Sequence, residues 1–296
     1  MKILIHYRHF PVAMGRFFDW AFRDLGHEVF SVGNYSGGRI PWGDEFNFPQ
    51  YAGAPDYEIP EIDYPVDSLL KEIDFKPDVI VQAADVLGLT GKAPYKNVLL
   101  KTDPHAVDYT KRQEFVDHVF NMQHHYSTVA ETWIPYAHYP GLHQFRDDPK
   151  MVHDVVFSGL QYEHRLQALN GMKEAGLKVF CALGVVYEEY VKLYNQGLIA
   201  FNWSSKMDLP ARFWEGMAMK RLMLTNLVPD LVELTEFKDG VDYVGFTTVE
   251  DAIEKALFYT KNKEAREKIA ENGYAKVQRH TYQSRAQDMI DVINRL

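Results

Sequence analysis

Cysteine is nearly absent: Cys181 is the only one in 296 residues. An intrachain disulfide is therefore excluded, and so is a cysteine-based zinc cluster. Long apolar runs are missing too. Nowhere do about 18 apolar residues follow one another, the length that a membrane-spanning helix needs. The first apolar run, Ile3-Leu4-Ile5, gives way at once to His6, Tyr7 and Arg8. That is too short for the core of a signal peptide, and a soluble cytoplasmic protein is the expectation. Positive charge is scarce: 32 Lys and Arg face 41 Asp and Glu, for a net charge of −9. A mainly electrostatic nucleic-acid binder has the opposite balance, although a local basic groove stays compatible with it. There is no Walker loop, no G-x-G-x-x-G, no D-x-D pair, no short-period repeat and no low-complexity tract. The adjacent His124 and His125 are poorly spaced to chelate one metal. His138 and His143 lack companion ligands at a recognised spacing.

What is present is an ordinary globular composition, 46% hydrophobic and 25% charged. The length fits one large domain or two of about 150 residues. Aromatics reach 14%, which suits either core packing or a platform for sugars or bases.

Short apolar runs alternate with longer amphipathic stretches. Residues 2–7 read as a strand, 14–25 as a helix stopped by Gly26, and 29–32 as a second strand. Residues 33–65, rich in Gly, Pro, Tyr and Asp, read mostly as loop. A helix over 66–73 and strands at 78–82, 97–101, 118–120 and 133–135 follow. The pattern pauses over 136–150, a linker holding two prolines and the pair Asp147-Asp148. It restarts with a strand at 154–157, a helix at 164–175, a strand at 178–182, a helix at 187–194 and a strand at 198–202. Then come a helix at 210–219, a strand at 222–225, a short helix at 229–234, a strand at 243–246, and helices from 249 to the end. Alternation of this kind predicts parallel, doubly wound sheets.

Two α/β units of this type bind ligands beyond the carboxyl ends of their strands, here in the cleft where the two domains face each other. That rule selects Arg8, His9, Asp85, Asp103, His105, Asn121 and Gln123 from the first half. From the second half it selects Ser158, Gly159, Gly184, Ser204, Ser205, Lys206, Thr225 and Asn226. Ser158-Gly159-Leu160 precedes a helix, a device for meeting phosphate with backbone N–H groups, and Arg165, Lys206 and Arg212 can add cations. Arg165 also suits an exposed helix face. Glu215, near a helix start, is either a favourable dipole partner or a carboxylate that accepts the hydroxyls of a nucleotide ribose. Asp103-Pro104-His105 follows the apolar run Val98-Leu99-Leu100. An acid and an imidazole there can act as base, orienter or hydroxyl ligand, or Asp103 can simply cap the next helix.

The stretch Arg212-Phe213-Trp214-Glu215-Gly216-Met217-Ala218-Met219-Lys220-Arg221-Leu222-Met223-Leu224-Thr225-Asn226 resembles a segment of the CgeB-like glycosyltransferases, relatives of the group 1 sugar transferases. Gly273, Val277, His280, Thr281, Tyr282 and Arg285 resemble the closing segment of that family. Residues 155–165 look like the first strand and phosphate loop of its C-terminal domain. The resemblance is good over 151–296 and weaker over 1–150.

It implies the GT-B architecture: an acceptor-side Rossmann-like domain over 1–150, a nucleotide-sugar-binding one over 151–281, and a closing helix over 282–296 that crosses back to the first. It implies a metal-independent transferase that moves a sugar from a nucleotide-diphosphate-sugar, with a UDP-sugar expected and no cofactor required, to an acceptor hydroxyl. The acceptor is a sugar, a lipid, a protein or a modified DNA base. The donor side would be Ser158, Gly159, Arg165, Ser205, Lys206, Arg212 and Glu215, with Glu215 matching the ribose-binding Glu. Asp103 and His105 would carry the chemistry. Two positions depart from the pattern. Met207, beside Asp208, stands where relatives often carry an upstream Glu, and Lys220 stands where Gly is usual. The alternatives are a phage-type DNA glycosyltransferase acting on a hydroxymethylated base, a sugar-nucleotide epimerase, and a non-catalytic GT-B ligand-binding domain.

Overall fold

The computed structural model describes residues 1–40, 43–47, 53–83, 87–147 and 150–296. Asp85 and Asp148 lie outside them. The chain divides into one unit made of residues 1–135 and 282–296 and another made of residues 136–281.

The first unit runs β1 (Lys2–His6), α1 (Met14–Asp24), β2 (Glu28–Gly33), β3 (Arg39–Ile40), β4 (Gly43–Asn47), β5 (Tyr57–Glu58), β6 (Tyr64–Pro65), α2 (Val66–Glu72), β7 (Val79–Gln82), β8 (Leu89–Thr90), β9 (Lys96–Lys101), α3 (Thr110–Gln113), β10 (His118–Asn121) and β11 (Thr132–Trp133). Seven of these strands form a parallel sheet in the order β11-β10-β9-β7-β1-β2-β5. Its middle strands, such as Ile3-Leu4-Ile5 and Val79-Ile80-Val81, are fully buried. Unbroken apolar runs of that kind are what a sheet covered on both faces requires.

The region expected to be loop, 33–65, contains strands of two to five residues. Tyr57–Glu58 extends the main sheet beside β2. Such short edge pieces carry no alternation long enough to register as a pattern.

The second unit runs β12 (His153–Ser158), α4 (Glu163–Glu174), β13 (Val179–Ala182), α5 (Tyr187–Asn195), β14 (Gly197–Asn202), α6 (Ala211–Ala218), β15 (Leu222–Asn226), α7 (Pro229–Leu234), β16 (Val244–Phe246), α8 (Val249–Lys261) and α9 (Lys263–Val277). Its sheet is parallel, in the order β13-β12-β14-β15-β16. Val155, Phe157, Ile199, Phe201, Leu222 and Leu224 point to one face, at the period of two that strands impose. There they pack with Ala168, Leu169 and Met172 of α4 and Ala252 and Ala256 of α8. On α6, Gly216 permits close approach to the sheet: a Cβ there would overlap Met223 and crowd Ala200.

Residues 136–147 belong to the second unit, so the boundary falls at 135 rather than 150. The physical reason is a set of specific bonds. Asn195 donates to the Gln144 carbonyl at 2.9 Å and accepts from the Arg146 N–H at 2.9 Å, while the Arg221 guanidinium lies over the Phe145 ring.

The last helix, α10 (Tyr282–Arg295), completes the first unit. Tyr282 stacks on Phe17 of α1 with ring centroids 4.9 Å apart and meets Phe18 edge-on. Ala286, Met289, Ile290 and Ile293 form its buried stripe. Lys96 donates to the Ile293 carbonyl at 2.8 Å, satisfying an otherwise open helix end. Among the described residues no helix is long and apolar enough to cross a membrane.

Candidate active site

In the second unit the chemistry-bearing side chains gather beyond the carboxyl ends of β12, β14 and β15. Ser158 ends β12 and Gly159 follows it at φ +150°, a conformation that favours glycine. A Cβ on Gly159 would overlap the Arg212 guanidinium, which lies against it. Arg212 donates to the Ser158 carbonyl at 3.0 Å and to Asn202 Oδ1 at 2.8 Å. Asn202 in turn donates to Thr225 Oγ1 at 2.9 Å. The Ser204 N–H donates to Asn226 Oδ1 at 2.7 Å, and the Asn226 amide donates back to the Ser204 carbonyl at 3.2 Å. Three strand ends are thereby tied together, with the Ser204-Ser205-Lys206 loop held over them. Ser205 is half-buried and Lys206 is exposed.

Arg165 stands differently from a phosphate-facing cation. It is 6% exposed and donates to the carbonyls of Trp203 at 2.6 Å and Leu160 at 2.8 Å. Its guanidinium lies over the Tyr162 ring. In this state Arg165 braces the loops. Burial, with the nearby Arg212 charge second, lowers its pKa to about 10. The backbone N–H groups of Ser158 and Gly159 are also engaged, with Tyr194 Oη and the Ala182 carbonyl.

Glu215 sits one turn into α6 and is 8% exposed. Burial raises its pKa to about 7, against the opposing pull of the Tyr190 hydrogen bond and the Arg212 charge. Tyr190 of α5 donates to Oε2 at 2.7 Å. His143 Nε2 lies 3.5 Å from Oε1. The Tyr139 N–H donates to His143 Nδ1 at 3.0 Å, so the ring proton sits on Nε2 and faces Glu215. Burial holds the His143 pKa down to about 3, and the ring is a neutral donor.

The sequence does not mark His143 and Tyr190 as site residues. Residue spacing bears on His143 only as a metal ligand, and nothing local ties residue 143 to residue 215. The one available signal is the stretch 136–150 itself, whose turn carries a histidine toward the second unit.

Lys220, at the position where the family usually has Gly, has φ +57°. The helix end is nevertheless a Schellman motif: Lys220 N–H donates to the Met217 carbonyl at 2.9 Å and Arg221 N–H to the Gly216 carbonyl at 3.1 Å. The left-handed turn survives the exchange of residue.

In the first unit the loop after β9 lines a pocket of about 410 Å³ formed by Lys101, Pro104, His105, Ala106, Val107, Asp108, Tyr109, Thr110, Gln113 and Tyr126. His105 Nδ1 is buried with no hydrogen-bond partner among the described residues. Asp103 lies outside that lining. Its carboxylate accepts from Thr102 Oγ1 at 3.3 Å, and its carbonyl accepts from the Ala106 and Val107 N–H groups, which closes the turn around Pro104. The two side chains flanking Pro104 therefore have different surroundings. Of the lining residues, Lys101 pairs with Glu131 at 2.5 Å, and Glu131 also accepts from Gln113 at 3.0 Å and from Asn121 at 2.8 Å. Those donors offset the burial of Glu131 and keep its pKa below the usual carboxylate range. Among the described residues no group of three or more His, Cys, Asp or Glu is placed to hold a metal ion.

Residues 150–291 match the sequence profile of the family described as glycosyl transferase-like. Among solved structures, Anabaena Alr3699/HepE in complex with UDP-glucose aligns over 100% of both chains at TM-score 0.70 and 11% identity. An alpha-glucosyltransferase in complex with UDP and a 13-mer DNA aligns over 99% of this chain and 100% of its own, at TM-score 0.69 and 11% identity. Sucrose-phosphate synthase from Thermosynechococcus elongatus aligns over 99% and 98%, at TM-score 0.63 and 10% identity. The fold is that of the GT-B glycosyltransferases. No curated protein sequence gives a significant match. Within this GT-B chain the profile spans Ser158, Gly159, Arg165, Ser205, Lys206, Arg212 and Glu215, and stops short of Asp103 and His105.

Proposed function

We propose that the chain is a glycosyltransferase that takes its sugar from a UDP-sugar and passes it to an acceptor hydroxyl. The observation that carries the reading is the arrangement around Glu215. A buried carboxylate and the Arg212 guanidinium stand on the first turns of one helix, beyond the ends of three parallel strands, inside the region that matches the transferase profile. A carboxylate there suits the ribose hydroxyls. Arg212 and Lys206 suit the diphosphate. The complexes of HepE with UDP-glucose and of the alpha-glucosyltransferase with UDP support uridine as the base.

In the reaction the anomeric carbon–oxygen bond to the diphosphate breaks and the acceptor oxygen bonds to that carbon. UDP leaves with the bonding pair, and the acceptor proton passes to a base. Arg212 and Lys206 would offset the charge that develops on the leaving diphosphate, in place of a metal. His105, which lines the pocket of the first unit and whose buried Nδ1 has no hydrogen-bond partner among the described residues, is the base or hydroxyl ligand that this reading favours over Asp103.

A DNA acceptor has one observation behind it, the fold likeness to the DNA-bound alpha-glucosyltransferase. The net charge of −9 gives it no support.

The test is titration calorimetry with UDP, GDP, ADP and TDP, followed by turnover assays with UDP-glucose and a panel of acceptors that includes hydroxymethylated DNA. Binding of UDP that weakens about 10-fold or more in Glu215→Ala is expected, the worth of hydrogen bonds to a charged group. Absence of binding to every nucleotide, or unchanged affinity in a folded Glu215→Ala protein, refutes the reading.

A further inference from the structure

An ionised carboxylate offers about four acceptor positions on its two oxygens. At Glu215 the protein itself fills one of them and holds a second donor close by. Tyr190 Oη–H donates to Oε2 at 2.7 Å, and His143 Nε2–H faces Oε1 at 3.5 Å. With both donors engaged, two positions would still remain. Two is the number of donors on the vicinal diol of a ribose, whereas a 2′-deoxyribose brings only one.

We propose that His143 and Tyr190 are positioning residues for the nucleotide. They orient the Glu215 carboxylate so that its remaining acceptor positions face a diol, and they make the site selective for a ribonucleoside diphosphate over its 2′-deoxy counterpart. The proposal rests on Glu215 being the ribose acceptor.

Both donors are themselves held. The His143 ring is oriented by the Tyr139 N–H, and the turn closes through the His143 N–H to the Tyr139 carbonyl at 2.8 Å. Tyr190 packs against Tyr194 with ring centroids 4.4 Å apart. Tyr194 Oη accepts from the Ser158 N–H at 3.3 Å. A single helix, α5, therefore links the ribose carboxylate to the strand end beside Arg212.

The titratable and charged groups around the carboxylate are His143 from the 139–143 turn, Tyr190 and Tyr194 from α5, and Arg212 from its own helix. Burial keeps His143 neutral and pushes both tyrosines upward, so Glu215 is the member that changes charge near neutrality. The ionised form accepts from the hydroxyls the more strongly, because its acceptors carry charge. Affinity for UDP should fall as pH drops through the Glu215 pKa. A donor that favours the ionised form keeps that midpoint low, and removing it moves the midpoint up.

The experiment measures dissociation constants of UDP and 2′-deoxy-UDP by calorimetry across the neutral pH range. It uses wild type, His143→Leu, His143→Gln, Tyr190→Phe and Glu215→Gln. Wild type should prefer UDP about 10-fold or more, one hydrogen bond to a charged acceptor. His143→Leu and Tyr190→Phe should each shrink that ratio several-fold and shift the pH midpoint upward. His143→Gln, whose amide can donate in place of Nε2, should restore both.

Should His143→Leu fail to fold, Tyr190→Phe removes a single oxygen and carries the test. An unchanged ratio and midpoint in Tyr190→Phe, with Glu215→Gln weakening UDP, overturns this proposal alone. Unchanged UDP affinity in Glu215→Gln overturns the ribose reading on which it stands.

Discussion

Replacing Gly159 by alanine tests whether the end of β12 is shaped for Arg212. Two costs separate cleanly. The first is conformational: φ +150° lies in a region nearly reserved for glycine, and holding an alanine there costs about 1–3 kcal/mol. The second is steric. The new methyl would overlap Arg212 Nη2, and the guanidinium cannot retreat without giving up its bonds to the Ser158 carbonyl at 3.0 Å and Asn202 at 2.8 Å. Two hydrogen bonds from a charged donor are worth about 1.5–3 kcal/mol each when both ends stay buried. Partial relaxation reduces this, and a total loss of about 3–5 kcal/mol is expected.

A double-mutant cycle with Arg212→Ala separates the terms. Without the guanidinium only the conformational cost remains, so the two substitutions should be non-additive by about 1–3 kcal/mol. The assay is native-state hydrogen exchange at the β12 amides, because it reports on the second unit alone and needs no two-state assumption for the whole chain. UDP affinity, measured alongside, should fall in Gly159→Ala. A loss below about 0.5 kcal/mol, or additivity within about 0.3 kcal/mol, would refute the idea that Gly159 is there to admit Arg212.

Glu215 gives a second prediction, on pH and stability. Its pKa rises from 4.5 in an unfolded chain to about 7 in the fold, so the folded state binds the extra proton. The stability this contributes is complete below pH 4.5 and is lost as pH rises through 7, by about 3 kcal/mol at most. The stability difference between wild type and Glu215→Gln should fall over that window in denaturation experiments, and a flat difference would contradict the burial argument. Tyr282→Ala should cost the first unit about 3–5 kcal/mol, the usual loss for a fully buried aromatic. Unchanged exchange protection of α1 would show that α10 is dispensable there. His105→Ala should lower turnover 10²-fold or more at little cost to UDP binding, and Asp103→Asn should do less. Equal effects, or none, would place the base elsewhere. Turnover should survive EDTA, and a complete loss restored by added metal would assign diphosphate neutralisation to that metal.

Much of the architecture is legible in the amino-acid sequence. Short, β-branched apolar runs such as Val79-Ile80-Val81, bounded by breakers, read as buried strands, and amphipathic stretches such as 14–25 and 282–296 read as helices needing a partner face. The resemblance adds the GT-B architecture, and the alignment over the full chain agrees with it. The strand-end rule picks Asn202's neighbours, Ser204, Thr225 and Asn226, from topology alone, since side chains at those ends are the ones a parallel sheet leaves uncovered.

Other features depend on approaches between distant segments, which no local pattern encodes. Periodicity reports which face is apolar and says nothing about which polar atoms meet. It does not show Arg165 turned onto the Trp203 and Leu160 carbonyls, nor Gly159 pressed against Arg212. Nor does it show that the 136–147 stretch belongs to the second unit and brings His143 to Glu215. The residue type at position 215 follows from the sequence. Its pKa, its orientation and its open acceptor positions come from burial and from two donors on other segments, and those exist only once the chain is folded.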